Sequence, residues 1–267
     1  MEFMSVSRRP LRWTTTGLRA LGSNSVRVVR EDDVNIAFQP IADLANRTTF
    51  AHEALTRCKL PQFQSPLALF AQAEREEACG RLGRVVRNVL FEHCAHQRIF
   101  INVHPQEVSQ RWLVQPTDPL FFHDREVYIE VTEAAAFEYF DVCLSVLSEL
   151  RARCDARIVV DDFGAGHADL NRVLELRPDM VKLDMSLVRD LHLDSARQAQ
   201  VREIVGTCHE LGAQVVAEGI EQPEELHVVE ALGVDYGQGY LLGRPAFPPA
   251  PATWPDEAGG ELNASSS

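Results

Sequence analysis

The stretch IAFQPIADLANRTTFAHEAL, residues 36–55, decides the fold of this chain. It contains two apolar, strand-like runs, residues 36–41 and residues 48–55, with only the six residues 42–47 between them. A crossover between parallel strands needs a dozen or more residues, whereas an antiparallel hairpin needs only a few. The first two strands are therefore predicted to form an antiparallel hairpin.

Six further strand-like runs follow along the chain, at residues 98–103, 126–131, 156–161, 179–184, 213–218 and 236–242. From the third strand onward they alternate with amphipathic helical stretches, such as residues 138–153 and 196–212. Strands that alternate with helices indicate a parallel sheet, and eight of them favour a closed barrel. We predict an α/β fold, a modified TIM barrel of eight strands whose first strand runs antiparallel to the rest. An open, doubly wound sheet is the alternative.

The composition is that of an ordinary globular protein. The chain has 267 residues, of which 45 % are hydrophobic and 24 % charged, and this length suits one barrel of roughly 200–250 residues. None of the six cysteines forms a C-x-x-C pair, which argues against a zinc site or a disulfide framework. No apolar run has the length of a membrane span, and the arginine-rich start lacks the apolar core of a secretion signal. A cytoplasmic location is expected.

Charge and composition divide the chain into three parts. Residues 1–33 are predicted to be a flexible arm or linker, residues 34–247 the barrel domain, and residues 248–267 a disordered tail rich in proline, glycine and serine. The first 30 residues carry a net charge of +5, whereas the remainder carries −18. Because affinity for nucleic acids depends on neutralising phosphates with basic residues, direct binding of nucleic acid is not expected.

Polar residues recur where the predicted strands end. In a barrel the carboxyl ends of the parallel strands open on one face, where active sites lie. Charged side chains are rarely buried there unless they are paired or bind a metal. The residues in question are Glu53, Asn102, Glu130, Glu133, Asp161, Asp162, Lys182, Asp184, Glu218, Glu221 and Gln238.

This set is rich in carboxylates, and oxygen ligands favour hard cations such as Mg²⁺ or Mn²⁺. The neighbours Asp161 and Asp162, together with Glu53, Glu130 and Asn102, have the composition to bind two cations that share one aspartate. A two-metal site suits displacement at phosphorus, because the cations stabilise the attacking and the leaving oxygen. The segment DDFGAGHADL, residues 161–170, is either an ordinary strand-to-helix turn or a mobile loop that closes over this site.

The same residues belong to a series of motifs. Glu53-Ala54-Leu55 is followed, in order, by INVHP, EVTE, DDFGAGHADL, VKLD, VVAEGIE and YGQGYLLGRP. The chain resembles the EAL domain family of bacterial cyclic di-GMP phosphodiesterases from about Ile36 to about Pro245. The resemblance implies a barrel with an antiparallel first strand and hydrolysis of cyclic di-GMP to linear pGpG. It also implies two divalent cations, Mg²⁺ or Mn²⁺, and a homodimer.

The resemblance further implies a role for each matched residue. Asp161 is implied to be shared between the two cations and Glu133 to anchor the glycine-containing loop. Lys182 is implied to position the attacking water, and Glu218 to be the general base or a ligand through water. The implied metal ligands are Glu53, Asn102, Glu130, Asp161, Asp162 and Glu218. The implied catalytic residues are Glu218, Lys182, Glu53 and Asp161. The implied substrate-binding residues are Gln39, Leu55, Arg57, Asp184, Glu221 and Gln238.

The chain departs from the family pattern at a few positions, none of which removes a ligand. These are Thr56, Cys58, His104, Ala165 and His167. Two other functions stay open: a receptor that binds cyclic di-GMP without cleaving it, and a signalling or protein-interaction module that has lost nucleotide binding. Degenerate relatives of these kinds usually lack part of the ligand set. The complete ligand set here therefore favours an active enzyme.

Overall fold

The computed structural model of the chain describes residues 24–94, 97–132, 140–165 and 170–255. Within these ranges eight strands appear at the predicted places. Their bounds are β1 Val34–Asp43, β2 Thr48–Cys58, β3 Ile99–Asn102, β4 Val127–Thr132, β5 Ala156–Phe163, β6 Met180–Leu183, β7 Gln214–Ala217 and β8 Tyr236–Gly237.

The eight strands form a closed barrel in sequence order. β1 is antiparallel to both of its neighbours, β2 and β8, and every other adjacent pair is parallel. The predicted modified TIM barrel is therefore confirmed, and the alternative of an open sheet is wrong. The reversed first strand places Gln39 opposite Glu53 in the register of the hairpin, so β1 contributes its polar residue to the same end of the barrel as β2.

Helices connect the parallel strands and cover the outside of the barrel. Their bounds are α1 Pro66–Arg75, α2 Cys79–His93, α3 Pro105–Ser109, α4 Phe140–Arg153, α5 Leu170–Glu175, α6 Met185–Val188, α7 Ser195–Glu210 and α8 Pro223–Ala231. The helix expected at residues 196–212 is α7, and it buries the predicted apolar face, Val201, Ile204, Val205 and Cys208. No helix in the described part of the chain combines the length and apolar character that a membrane crossing requires.

The barrel interior contains an apolar layer to which every strand contributes one residue. Its members are Ile41, Ala51, Phe100, Tyr128, Val159, Met180, Val216 and Tyr236. Side chains two positions apart on a strand point to the same side. Each layer residue is two positions from a polar residue, as Tyr128 is from Glu130 and Met180 is from Lys182. The apolar layer is thus the floor of the polar mouth and fixes which side chains point into it.

A buried ionic triad supports the connection that follows β3. Arg87 on α2 contacts Glu107 on α3 at 2.7 Å and Asp118 at 2.8 Å, and all three side chains are buried. The second oxygen of Glu107 accepts a hydrogen bond from the backbone of His104. Gly83 on α2 lies so close that an added Cβ atom would be 2.1 Å from Glu107 Oε2. The triad therefore ties the segment after Asn102 to α2.

Parts of the two terminal regions contact the barrel domain. Val26 and Val29, within the predicted arm, are buried, and Ser25 donates a hydrogen bond to Glu76 at the end of α1. In the predicted tail, Trp254 is buried and the carbonyl of Ala250 lies 2.9 Å from His52 Nε2. The division into three parts with boundaries near residues 33 and 247, expected from the sequence, remains a prediction.

Candidate active site

The centre of the mouth is the ammonium group of Lys182, which is fully buried. Its Nζ lies 2.6 Å from Glu130 Oε1 and 2.6 Å from Glu218 Oε1. Asp161 Oδ1 is 3.2 Å away and Glu53 Oε2 is 3.7 Å away. Strands β2, β4, β5 and β6 and the residue after β7 thus direct one cation and four anions to a single point.

Glu53 is held by amide donors on both sides. Its Oε1 accepts a hydrogen bond of 2.8 Å from Asn102 Nδ2, and its Oε2 accepts one of 2.6 Å from Gln238 Nε2. Gln238 also lies 3.3 Å from the side-chain oxygen of Gln39, whose own amide donates to the carbonyl of Gly243. The four predicted site residues of β1, β2, β3 and the end of β8 therefore form one hydrogen-bonded chain.

Asp161 and Asp162 point to the same place although they are adjacent in a strand, where side chains normally alternate. The reason is local: the β5–β6 register is irregular between Val160 and Phe163, and Asp162 adopts a left-handed conformation with φ 58°. Non-glycine residues seldom adopt this conformation, although aspartate does so more readily than most. As a result, ligand atoms of Asp161, Asp162 and Glu218 lie within 4.8 Å of one another.

Burial raises the pKa values of three acids in the mouth, Glu130, Glu218 and Asp162. It holds the pKa of Glu130 well above its usual range, although Lys182 favours the ionised form. It raises the pKa of Glu218 to about 7, again against the effect of Lys182. The pKa of Asp162 is raised by burial and by the neighbouring charges of Asp161 and Asp184. Burial alone would lower the pKa of Lys182, but Glu130 and Glu218 hold it well above its usual range.

The donor set fits divalent cations. Five carboxylates, those of Glu53, Glu130, Asp161, Asp162 and Glu218, face one ammonium group, so the ionised cluster carries an excess of four negative charges. Two divalent cations would balance this excess. Within the described residues, Glu130 Oε2 receives no hydrogen bond, and Glu130 Oε1 and Asp161 Oδ1 have only the ammonium group of Lys182 beside them. Buried carboxylate oxygens without donors are suited to metal coordination.

The predicted substrate-binding residues lie at different distances from this cluster. Side chains two positions apart on β2 point to the same side of the sheet, and this spacing relates Glu53, Leu55 and Arg57. Leu55 and Arg57, together with Asn102, line a cavity of about 480 Å³ that is also lined by residues of α1 and α2, including Phe70 and Val86. Asn102, which donates a hydrogen bond to Glu53, links this cavity to the mouth.

Three other predicted residues are less central. Asp184 follows β6, and its carboxylate accepts a hydrogen bond from the backbone of Ser186 at the start of α6. Glu221 is exposed, with Arg189 at 3.5 Å. Glu133 lies outside the described residues, as do Gly166 and His167 of the predicted loop.

Two buried acids, Glu107 and Glu225, support the mouth from outside and were not predicted as site residues. Each is the third residue of a helix that begins with proline, and each forms a capping box with the residue before that helix. The spacings His104-Pro-x-Glu107 and Gln222-Pro-x-Glu225 were visible in the sequence. They mark helix starts, but they do not reveal that the acids are buried.

Comparisons with known proteins agree with this architecture. The family model described as "EAL domain" matches residues 23–245. Cyclic di-GMP phosphodiesterase PdeR of Escherichia coli is 28 % identical over 246 residues, which is 87 % of this chain and 36 % of PdeR. The blue light- and temperature-regulated antirepressor BluF of Escherichia coli is 26 % identical over 232 residues, which is 84 % of this chain and 57 % of BluF.

Among solved structures, the manganese and cyclic di-GMP complex of Klebsiella pneumoniae BlrP1 superposes with a TM-score of 0.75 at 30 % identity. The match covers 83 % of this chain and 58 % of BlrP1. The chain thus spans about a third of PdeR and less than two thirds of BlrP1. Because the family model covers most of the chain and the barrel has the same reversed first strand that the motifs imply, the chain belongs to the EAL domain family.

Proposed function

We propose that the chain is a metal-dependent phosphodiesterase that hydrolyses cyclic di-GMP to linear pGpG. The observation that carries the proposal is the cluster of five carboxylates and two amide side chains around Lys182 at the mouth of the barrel. The cluster contains the residues that the resemblance implies as metal ligands and catalytic residues. The relationship to PdeR and to the cyclic di-GMP complex of BlrP1 supports the same substrate.

The residues that would hold two cations are Glu53, Asn102, Glu130, Asp161, Asp162 and Glu218. Their donor atoms are oxygens, which favours Mg²⁺ or Mn²⁺ over softer metals. When bound, such cations neutralise the charge of a phosphodiester and make an attacking water more acidic. Their positive charge would allow the strongly acidic mouth to bind an anionic substrate.

The chain's own residues supply the rest of the chemistry. Glu218 accepts a proton from the attacking water, since its carboxylate lies at the mouth beside Lys182 and, once ionised, has the basicity that a general base needs. Lys182 remains protonated and offsets negative charge that develops on the phosphate oxygens. Asn102 and Gln238 fix the orientation of the Glu53 carboxylate through their hydrogen bonds.

In the proposed reaction a new bond forms between the water oxygen and one phosphorus of the cyclic dinucleotide. The bond from that phosphorus to the ribose 3′ oxygen breaks, and the 3′ oxygen takes up a proton. The product is a linear dinucleotide with a terminal 5′ phosphate. Opening one phosphodiester yields pGpG without any oxidant or second substrate.

Substrate contacts are proposed along the rim of the mouth. Arg57 provides a positive charge beside the cluster, and Leu55 provides an apolar wall. The adjoining cavity of about 480 Å³ has room for part of a nucleotide. Gln39, Asp184, Glu221 and Gln238 complete the proposed substrate-binding set.

Turnover of cyclic di-GMP tests the proposal. The purified chain is incubated with the nucleotide and Mg²⁺ or Mn²⁺, and the products are separated by chromatography, with a chelated sample as reference. We expect pGpG only when metal is present, and we expect Glu53→Gln to abolish its formation. Glu230→Gln, an exposed glutamate on α8, is the matched control and should retain full activity.

The alternative is a receptor or signalling module, and the similarity to the antirepressor BluF is the observation in its favour. Saturable binding of intact cyclic di-GMP without any product, under all metal conditions, would replace the phosphodiesterase with a receptor. The homodimer and the cytoplasmic location stay proposals. Light scattering with and without nucleotide tests the dimer.

A further inference from the structure

Two connections on the outside of the barrel begin beside central residues of the mouth. One follows β6, which carries Lys182, and the other follows β7 and starts at Glu218. The connection after β6 runs from Asp184 through α6 to the 3-10 turn that starts at Leu191. The connection after β7 carries Glu218 and Glu221 and ends at α8. Lys182 and Glu218 lie where these two connections begin, and there the pairing of β6 with β7 and a hydrogen bond of 3.2 Å from Glu218 N–H to the Leu183 carbonyl hold their backbones together. Beyond this pairing, the course of each connection depends on contacts between the connections themselves.

A single buried carboxylate joins them. Glu225 is 1 % exposed and lies in the first turn of α8. Its Oε2 accepts hydrogen bonds from the backbone N–H groups of Glu221 at 2.9 Å and Gln222 at 3.0 Å. Its Oε1 accepts one of 2.9 Å from the backbone of Asp190, on the other connection.

The position of Asp190 is itself unusual, because its φ of 55° is left-handed. Such a conformation persists only where surrounding contacts hold it. Hydrogen bonds from N–H groups to an ionised carboxylate are stronger than those between neutral groups. The bond to Glu225 is therefore well suited to hold the backbone of Asp190 in this conformation.

Two further contacts between the connections are weaker or apolar: a half-exposed ion pair and a contact between a glycine and a methionine. The ion pair between Arg189 and Glu221 is 3.5 Å long and about half exposed, and exposed pairs contribute little. Gly219 packs so closely against Met185 that an added Cβ atom would lie 2.6 Å from the Met185 Cβ atom. This contact has no polar component and requires that the two backbones already lie side by side.

We propose that Glu225 is a positioning residue for the reaction. It ties the backbone of Glu221 and Gln222 to Asp190 in the segment that follows Lys182, and so adds to the β6–β7 pairing that keeps the proposed general base at its distance from the lysine. It does not touch the substrate or the cations. This inference rests on the proposed phosphodiesterase function.

Two substitutions separate the two halves of the contact. Glu225→Ala removes all three hydrogen bonds. Glu225→Gln keeps one carbonyl oxygen, which still accepts hydrogen bonds from the backbone N–H groups of Glu221 and Gln222. An amide N–H₂ replaces the oxygen that accepts from Asp190, so that hydrogen bond is lost. Glu224→Ala is the matched control, because Glu224 is exposed in the same helical turn.

Amide hydrogen exchange, kcat, KM and the affinity for Mn²⁺ are measured for each variant. For Glu225→Ala we expect faster exchange in both residues 186–191 and residues 219–223, at least a tenfold fall in kcat, and a KM within threefold of the parent. For Glu225→Gln we expect faster exchange in residues 186–191 alone and an intermediate kcat. Glu224→Ala should behave as the parent.

A folded Glu225→Ala variant whose kcat stays within twofold of Glu224→Ala would overturn the proposal. So would faster exchange throughout the chain with kcat and KM affected equally, because that pattern indicates a general loss of stability. If Glu225→Ala does not fold, Glu225→Gln takes its place. Faster exchange in residues 186–191 with a lower kcat would support the proposal, and a kcat within twofold of Glu224→Ala would overturn it.

A parent chain without turnover would refute the proposed function but would leave this inference testable by metal binding. At least a fivefold weaker affinity for Mn²⁺ in Glu225→Ala than in Glu224→Ala would then support the positioning role. Equal affinities would refute it.

Discussion

Lys182 Nζ on β6 lies 2.6 Å from Oε1 of Glu218, the residue after β7; the lysine is fully buried, whereas the Glu218 side chain is 19 % exposed. The pair joins the lysine, which stays charged, to the acid whose pKa is raised to about 7. A proton acceptor and a fixed positive charge are thus adjacent at the centre of the mouth.

Replacing the lysine tests this arrangement. Lys182→Met is expected to lower kcat by roughly a hundredfold or more, because the fixed charge that stabilises the developing anion is lost. Without metal, its thermal midpoint should also fall, since four carboxylates lose their counter-ion. The chain has only one other lysine, the exposed Lys59, and Lys59→Met should leave both kcat and the midpoint unchanged. A Lys182→Met variant with near-normal kcat would refute the role given to this residue.

The raised pKa of Glu218 predicts an unusual pH dependence for the metal-free chain. Between about 4.5 and about 7 the folded state holds a proton on Glu218 that the unfolded state has released. Stability therefore falls as pH rises through this window. We expect the thermal midpoint in the presence of a chelator to decrease from pH 5 to pH 8, and the decrease to be smaller in Glu218→Gln.

Cations should reverse this trend. Metal ions compete with protons for the same carboxylates, so the affinity for Mn²⁺ is expected to rise with pH across the same window. Calorimetric titration at pH 5.5 and pH 8, with proton release measured in buffers of different ionisation enthalpy, checks this expectation. An affinity that does not change with pH would show that the acids are already ionised in the metal-free protein.

Asp162 combines a charge with a left-handed backbone, and two substitutions separate these properties. Asp162→Asn keeps a residue that tolerates the conformation, so metal affinity should fall while the stability of the metal-free chain stays the same or increases. Asp162→Val adds a β-branched side chain at φ 58° and should lower the free energy of unfolding by about 1–3 kcal/mol. Urea denaturation and Mn²⁺ titration of both variants measure the two effects. Equal stability of the valine variant would contradict the strained backbone.

The tight packing of α2 against the ionic triad gives a stability prediction. Gly83→Ala places a Cβ atom against Glu107 and should lower the free energy of unfolding by about 1–3 kcal/mol. Gly206→Ala, in the middle of α7, meets no atom within 4 Å and should raise it by about 0.5–1 kcal/mol. Urea unfolding of the two variants compares them directly, and opposite signs are expected.

Much of the fold could be predicted from the sequence, because the decisive features are local. The six residues between the first two strands exclude a parallel crossover, and the alternation of strands and helices gives the rest of the barrel. The polar residues meet at the mouth because side chains two positions apart on a strand point to the same side. Lys182 thus points to the barrel interior as Met180 does, and Glu130 as Tyr128 does.

Other features depend on contacts between distant segments and leave little trace in the sequence. The bulge that turns Asp161 and Asp162 to the same side requires a left-handed aspartate, and nothing in the pattern of β5 marks it. The bond between Glu225 and Asp190 joins residues 35 positions apart. The ion pairs of Lys182 likewise depend on the closure of the barrel, which places β2 and β6 across the mouth from each other.

The reversed first strand also determines from which side the preceding polypeptide reaches the barrel. Val34, at the start of β1, pairs with Cys58, at the end of β2 that lies beside the mouth. Residues 24–33 accordingly approach on this face and contact Glu76 and Arg81. In a barrel with eight parallel strands the chain would enter at the opposite end. The described chain therefore arrives at the barrel on the side of the mouth, next to α1 and to the cavity that α1 helps to line.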